Sequence, residues 1–340
     1  MLVKRTLLIK VYIILVSITS ISCYGQKKQS IHEKSGQVIN RICDSINSFY
    51  IDEIKSKKIS KELKVWHLSN FENIKDWKTF VKKVNKQLFK SSNDLHLKLY
   101  QNYESEEDDS DYEEESTKIF DSKSKASKEI IKSGNRVIDF ALKSGITDAR
   151  ILDGNIGYLA LYWIAEDEKD KNVIDDVMMK LKETKALIID VGVNIGGAPF
   201  GVKYYSGFLF ENKTHLSSFV RRGMKGPRER WSIKEGIPVE TFYNKPIYVL
   251  TSRRTFSAAE SFVFGLKNNN RITQVGKATA GGGFFGGTYN VSSEPKLDLW
   301  ISRGMTFNPN NGDSWEAKGI QPDIEVDYSK ALEKALSIID

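Results

Sequence analysis

Among 340 residues there are only two cysteines and four histidines. Cys23 falls in a leader-like N-terminal segment, so Cys43 alone remains as a free thiol and no intrachain disulfide framework can form. Cys43 sits in a helical pattern with no basic cluster beside it, which suits a buried filler better than a nucleophile. No His, Cys and carboxylate cluster occurs at ligand spacing, so neither a metal nor an organic cofactor is implied. Beyond the N-terminus no apolar run is long enough to span a bilayer. A strong charge bias is also missing. The formal net charge of +7 falls to +4 once the three leader cations, Lys4, Arg5 and Lys10, are removed. That balance is too small and too scattered to argue for a nucleic-acid partner. The local basic group of Arg221, Arg222, Lys225, Arg228 and Arg230 reads as a solvated loop.

The N-terminus is a basic start followed by an apolar stretch from Leu7 to Ile21 and then small residues, the pattern of a signal peptide. Cleavage after Gly25 is expected. Lipidation of Cys23, and membrane attachment through it, is the alternative. The protein is therefore expected to be exported: periplasmic, secreted or held at the cell surface as a lipoprotein.

Residues 26–104 read as a helical N-terminal subdomain, with apolar residues at helical spacing through Val38, Ile42, Ile46 and Phe49, and again through Phe80, Val84 and Leu88. Residues 105–150 hold an acidic tract, Glu106 to Ser116, and a connecting helix. The tract cannot bury a core and reads as a surface loop; calcium is the sharper alternative, disfavoured because no glycine sits at ligand spacing. From 151 to 340 the texture changes. Short branched apolar runs (Ala186–Val191, Ile247–Thr251, Ile272–Val275) alternate with helical patterns, which predicts a mainly parallel sheet with helices packed on it. In such sheets the site lies beyond the carboxyl ends of the strands.

Two segments lie at such ends. Gly196 and Gly197 follow the first run, and paired glycines there can present amide donors to an oxyanion or simply make a turn. Ser257 follows the second run at the start of a helix. Its hydroxyl is placed as a nucleophile would be, with the Ala258 amide as another oxyanion donor. Ser257 and Glu260 also make the S-x-x-E signature of a capping box, so a helix cap is the plainer reading of the same residues.

Taken together, DVGVNIGG at 190–197, VLTSRRTFSAAESF at 249–262, VGKATAGGG at 275–283 and GIQPDIEV at 319–326 resemble the C-terminal processing, or tail-specific, serine proteases. The resemblance implies an α/β core of the kind shared with the ClpP and crotonase groups, a serine nucleophile at Ser257, and an oxyanion hole at Gly196, Gly197 and Ala258. The best-known members use a lysine base after T-x-G. Here Thr279-Ala280-Gly281 is followed by Gly282, and the nearby Lys277 reads as a surface charge. His96 instead lies in a D-x-H segment similar to that of tricorn-core relatives, and Glu316 stands three residues before G-x-x-P-D, where those relatives place a glutamate. A Ser257–His96–Glu316 triad follows by resemblance. LDGNIGYLALYW at 152–163 and NPNNGDSWEAKGIQPDI at 308–324 are similar to the branch that includes the interphotoreceptor retinoid-binding protein repeats. The implied activity is hydrolysis of peptide bonds in protein or peptide substrates. That branch also supplies the alternative, a non-catalytic binder of an apolar ligand, to which Phe284 and Phe285 would contribute.

Overall fold

Three helices open the described chain. A computed structural model describes residues 31–70, 74–101, 121–138, 144–237 and 244–339; the leader, Cys23 and the acidic tract lie outside them. Helix α1 (Ile31–Phe49) buries Val38, Ile42 and Ile46, one residue per turn, as its four-residue spacing requires. Helix α2 (Glu53–Asn70) does the same with Ile59, Leu63 and His67. Helix α3 (Trp77–Ser92) starts at Asp76, whose carboxylate accepts from the Thr79 amide at 2.7 Å, and buries Phe80, Val84 and Leu88. It ends where Asn93 takes a left-handed conformation (φ 50°). The chain then enters strand β1 (Lys98–Gln101).

After α4 (Lys125–Ser133) come the short β2 (Asn135–Arg136), β3 (Ile146–Leu152), β4 (Ile156–Leu161), α5 (Lys171–Leu181), β5 (Ala186–Asp190) and α6 (Pro199–Leu209). Strands β6 (His215–Arg221) and β7 (Arg228–Trp231) form an antiparallel pair. Then follow β8 (Ile247–Thr251), α7 (Ala258–Asn268), β9 (Thr273–Gly276), β10 (Phe284–Ser293), β11 (Lys296–Phe307), β12 (Ile324–Glu325) and α8 (Ala331–Leu336).

These strands make two sheets. The larger has the order β12-β9-β8-β5-β4-β3-β2, parallel from β12 to β4 and antiparallel at the β3–β2 edge. Its strands β5 and β8 are buried on both faces: Leu187, Ile189 and Val249 pack under α5, α6 and α7, while Ile188 and Leu250 pack against the α8 side. This is the mainly parallel α/β core expected from the alternating runs. The smaller sheet is antiparallel and built on the long β11. One edge of β11 carries β10; the other carries β1 beside Leu297–Trp300 and β6 beside Gly304–Phe307. Helices α1–α3 cover this sheet, burying Leu299 and Ile301 with Ile42, Leu63 and Leu88. Cys43 lies in that core, its thiol pushed up to about 11 by burial.

At the carboxyl end of β5 an ion pair is fully enclosed. Lys123 meets Asp190, with side chains 0% and 1% exposed. Tyr158 and Tyr328 donate to the two Asp190 oxygens at 2.9 and 2.8 Å, and the Gly192 amide adds a fourth donor at 3.1 Å. A buried carboxylate needs such a set, because each missing partner exposes its desolvation cost. The cluster fastens the connecting segment and the C-terminal region to the strand end from which the 191–198 loop departs. Lys123→Met is expected to cost about 3–5 kcal/mol in urea denaturation by stranding Asp190. Adding Asp190→Asn should restore part of that loss, and strictly additive losses would exclude the coupling.

Candidate active site

The loop from β8 into α7 holds Ser257 at φ 56° and ψ −116°, a conformation that costs a non-glycine residue about 1–3 kcal/mol. Neighbouring bonds impose it. The Phe256 amide donates to the Asn194 carbonyl at 2.9 Å, and the Thr255 hydroxyl to the Val191 carbonyl at 2.8 Å, so the loops after β5 and β8 are stitched together. The Ser257 amide donates to Glu260 Oε2 at 2.9 Å, the return half of the capping box. Capping is only part of what Glu260 does. Fully buried, it also accepts from Thr279 Oγ1 at 2.6 Å and from the Gly281 and Gly282 amides at 2.7 and 2.8 Å. Burial pushes its carboxyl up while these donors favour the ionised form.

His96 approaches from the other sheet. Asn93 ends α3, Asp94 Oδ1 accepts from the amides of His96 and Leu97 at 2.9 and 3.3 Å, and β1 begins two residues later. The imidazole Nε2 then lies 3.0 Å from Ser257 Oγ. Phe256 stacks on one ring contact at 4.3 Å and Trp300 on another at 4.7 Å, nearly parallel in both cases. Trp300 faces Lys98 across the β1–β11 pairing, so strand register positions the stack. Position 282 must be glycine for the same reason: a Cβ there would come within 2.3 Å of the Phe256 ring and 2.9 Å of His96 Cε1. Burial holds the imidazole down to about 4, so it is neutral at physiological pH. Its Nδ1 is buried without a partner among the described residues.

Glu316 is beside this assembly but is not bonded to His96. Its Oε2 accepts from the Gly283 and Phe284 amides at 2.7 and 2.9 Å, and the Ala317 amide returns to the Gly281 carbonyl at 2.8 Å. Burial, and next the nearby Asp94 carboxylate, push its carboxyl up to about 8. The triad implied by resemblance is thus present as a Ser257–His96 contact, with the glutamate turned onto the backbone of the glycine-rich loop.

The oxyanion donors also differ in detail from those expected. The Gly196 amide is committed to Asn194 Oδ1 at 2.9 Å, which removes it from the set. No protein acceptor among the described residues takes up the Gly197 or Ala258 amide. Gly197 sits at φ 133° with its Cα against Ile164, where a Cβ would lie 1.9 Å from the carbonyl oxygen; only glycine fits.

Residues 155–326, half of the chain, match the profile of peptidase family S41. The chain belongs to that family. A Chlamydia muridarum protein of no stated function is 33% identical over 87 residues, which is 26% of this chain and 14% of that relative's length. A solved structure described as a peptidase, from Parabacteroides merdae, superposes with a TM-score of 0.60 at 18% identity, covering 91% of this chain and 97% of that one. The tricorn protease gives 0.52 at 14% identity over 90% of this chain and 36% of its own. The photosystem II D1 C-terminal processing protease gives 0.50 at 12% identity over 86% and 93%. At these identities the likeness is one of fold.

The S41 site opens into a cavity of about 490 Å³ whose walls include Ser257, Gly197 and Ala258. Phe219, Phe284, Phe285, Trp300 and Trp315 make it largely apolar. One residue of the basic group also lines it. Arg230 is 9% exposed on β7, because Ser217–Phe219 and Arg228–Arg230 pair as strands and turn alternate side chains inward. The solvated-loop reading therefore fails at Arg230. The remaining histidines lie away from Ser257: His67 contacts Ser35 and His215 stacks on Trp231, while the side chain of His32 is outside the described set. Lys277 pairs with Glu325 at 3.1 Å, as a surface charge would.

The raised Glu316 carboxyl links the site to stability. A native carboxyl that keeps its proton up to about 8, against an ordinary value of 4.5, contributes stability that is full below pH 4.5 and lost as pH rises through about 8. Glu316→Gln, which cannot ionise, should therefore lose less stability than the unmodified protein between pH 5 and pH 8.5 in urea titrations. Parallel pH dependences would refute the assignment.

Proposed function

We propose that this S41 protein is an exported serine endopeptidase in which Ser257 is the nucleophile and His96 its general base. The 3.0 Å approach of His96 Nε2 to Ser257 Oγ, beside two unclaimed amides, is the observation that carries the reading. In the neutral ring the hydrogen resides on Nδ1, leaving Nε2 to accept the serine proton as Oγ attacks the substrate carbonyl. The amides of Gly197 and Ala258 take the developing oxyanion. The imidazolium then returns its proton to the leaving amine, and water repeats the sequence on the acyl-enzyme.

Glu316 completes the set as the third member. Its Oε1 carries no hydrogen bond among the described residues and His96 Nδ1 carries none either, so an acceptor and a ring N–H are both free in the same neighbourhood. Its support of the imidazolium requires the ionised form. Because burial holds His96 near 4 and Glu316 near 8, the limiting ionisation on the acid side belongs to the carboxyl and not to the base. Export rests on the N-terminal leader, with attachment through lipidated Cys23 as its variant, and N-terminal sequencing with cell fractionation tests it.

Labelling by a fluorophosphonate probe tests the chemistry. Labelling should disappear in Ser257→Ala and fall by about 10²–10⁴ in His96→Ala. The wild-type rate should climb through pH about 8, and Glu316→Gln should remove that limb. No labelling of the wild type at any pH would sink the peptidase reading and favour the apolar-ligand binder.

A further inference from the structure

The wall of the Ser257 cavity contains a buried cation with no counter-ion. Arg230 Nη1 donates to Ser261 Oγ at 2.9 Å, one helical turn beyond the nucleophile, and the guanidinium lies 5.4 Å from the centre of the Phe219 ring. No carboxylate among the described residues pairs with it. Its neighbour Glu229 is exposed and also lines the cavity, but it alternates with Arg230 along β7, makes no ion pair with it, and has its carboxylate on Trp231 Nε1 at 2.9 Å. Burial is the sole cause that lowers the guanidinium, to about 10, so it stays charged at neutral pH. Lys203, half-buried on α6, brings a second cation to the same cavity.

An unpaired buried charge costs several kcal/mol, and a fold keeps one where something else supplies the partner. A guanidinium has five N–H donors in a planar fork, and Ser261 uses one. The shape that fits the rest is a carboxylate, bound by parallel N–H···O bonds. The surrounding apolar walls, Phe219, Phe285 and Trp315, exclude water and so strengthen that contact, while accepting the aliphatic part of the group that bears it.

We propose that Arg230 makes this cavity a carboxylate-binding subsite, so that the substrate presents either an acidic side chain or its own C-terminal carboxylate next to Ser257. The inference rests on the peptidase reading for the word substrate, but the binding it asserts does not need turnover. Ser257→Ala protein is therefore the material for the test, with fluorescence polarisation of labelled peptides as the measurement. One peptide pair differs by Glu against Gln at an internal position, with the C-terminus amidated in both. A second pair has no acidic residue and differs by a free C-terminus against a carboxamide.

The acid member of at least one pair should bind about 10- to 100-fold more tightly than its amide, the range for a hydrogen-bonded charge. The first pair responding assigns a side chain, the second a chain terminus. Arg230→Met should erase the preference and Arg230→Lys should keep part of it. Equal affinities within both pairs, a preference that survives Arg230→Met, or no binding of either acid peptide up to about 1 mM would overturn the proposal. Fluorophosphonate labelling of the wild type separates the two ideas. Acid preference without labelling keeps the subsite and removes the peptidase; labelling without acid preference does the reverse.

Discussion

One carboxylate, that of Glu260, receives four hydrogen bonds at the centre of this molecule: from Ser257 N, Thr279 Oγ1, Gly281 N and Gly282 N. Through the first it fixes the backbone of a strained serine; through the others it fixes the glycine-rich loop that runs into β10. That loop supports the floor of the His96 ring and gives its next two amides to Glu316. The parallel sheet contributes the serine, the antiparallel sheet contributes the histidine, and the loop held by Glu260 is where the two meet. Placement of Ser257 Oγ against His96 Nε2 thus depends on a carboxylate that holds the backbone on either side of the pair without a hydrogen bond to His96.

The electrostatics follow from the same crowding. His96 lies between two aromatic rings, which keep it neutral and limit how far it can turn. Burial pushes both the Glu316 and Asp94 carboxyls up, and the Asp94 carboxylate further discourages ionisation of Glu316. Such a neighbourhood keeps an imidazole neutral and makes an imidazolium costly, a cost that an ionised carboxylate beside it would offset. Arg230 stands outside this group, bonded to Ser261 on α7, and brings positive charge to the cavity wall.

Much of this was legible in the sequence, and for identifiable reasons. Strands β5 and β8 show as branched apolar runs because both faces are buried, and the motifs at their ends locate Ser257 and Gly197. His96 was legible only through resemblance, since nothing in the spacing of residues 96 and 257 announces contact. The motif points to Glu316 but not to its bonds with the Gly283 and Phe284 amides, because which amides a carboxylate reaches is decided by loop geometry. That Gly196 is not a free donor is hidden too, because a sequence does not show that Asn194 folds back onto its amide. Phe256 and Trp300 carry no sequence signal: Trp300 stacks on His96 through the register of β1 against β11, and Phe256 through the loop bond of its amide to the Asn194 carbonyl. Arg230 is hidden for a related reason, since it closes a run of basic residues, and composition alone does not show the strand alternation that turns it inward. Glu260 was visible as S-x-x-E, but only its capping half could be read from that spacing.

The enclosed pair of Lys123 and Asp190 also sets an order of assembly. Lys123 and Tyr158 precede Asp190 in the chain, whereas Tyr328 follows it by 138 residues. During synthesis the 191–198 loop therefore exists for a long interval over a carboxylate that lacks one of its donors. The chain emerges from its N-terminus, and the core around Asp190 closes only when synthesis has passed Tyr328. Closure of the 191–198 loop and docking of the segment around Tyr328 become a single event, so a chain that stops short of Tyr328 leaves Asp190 one donor short.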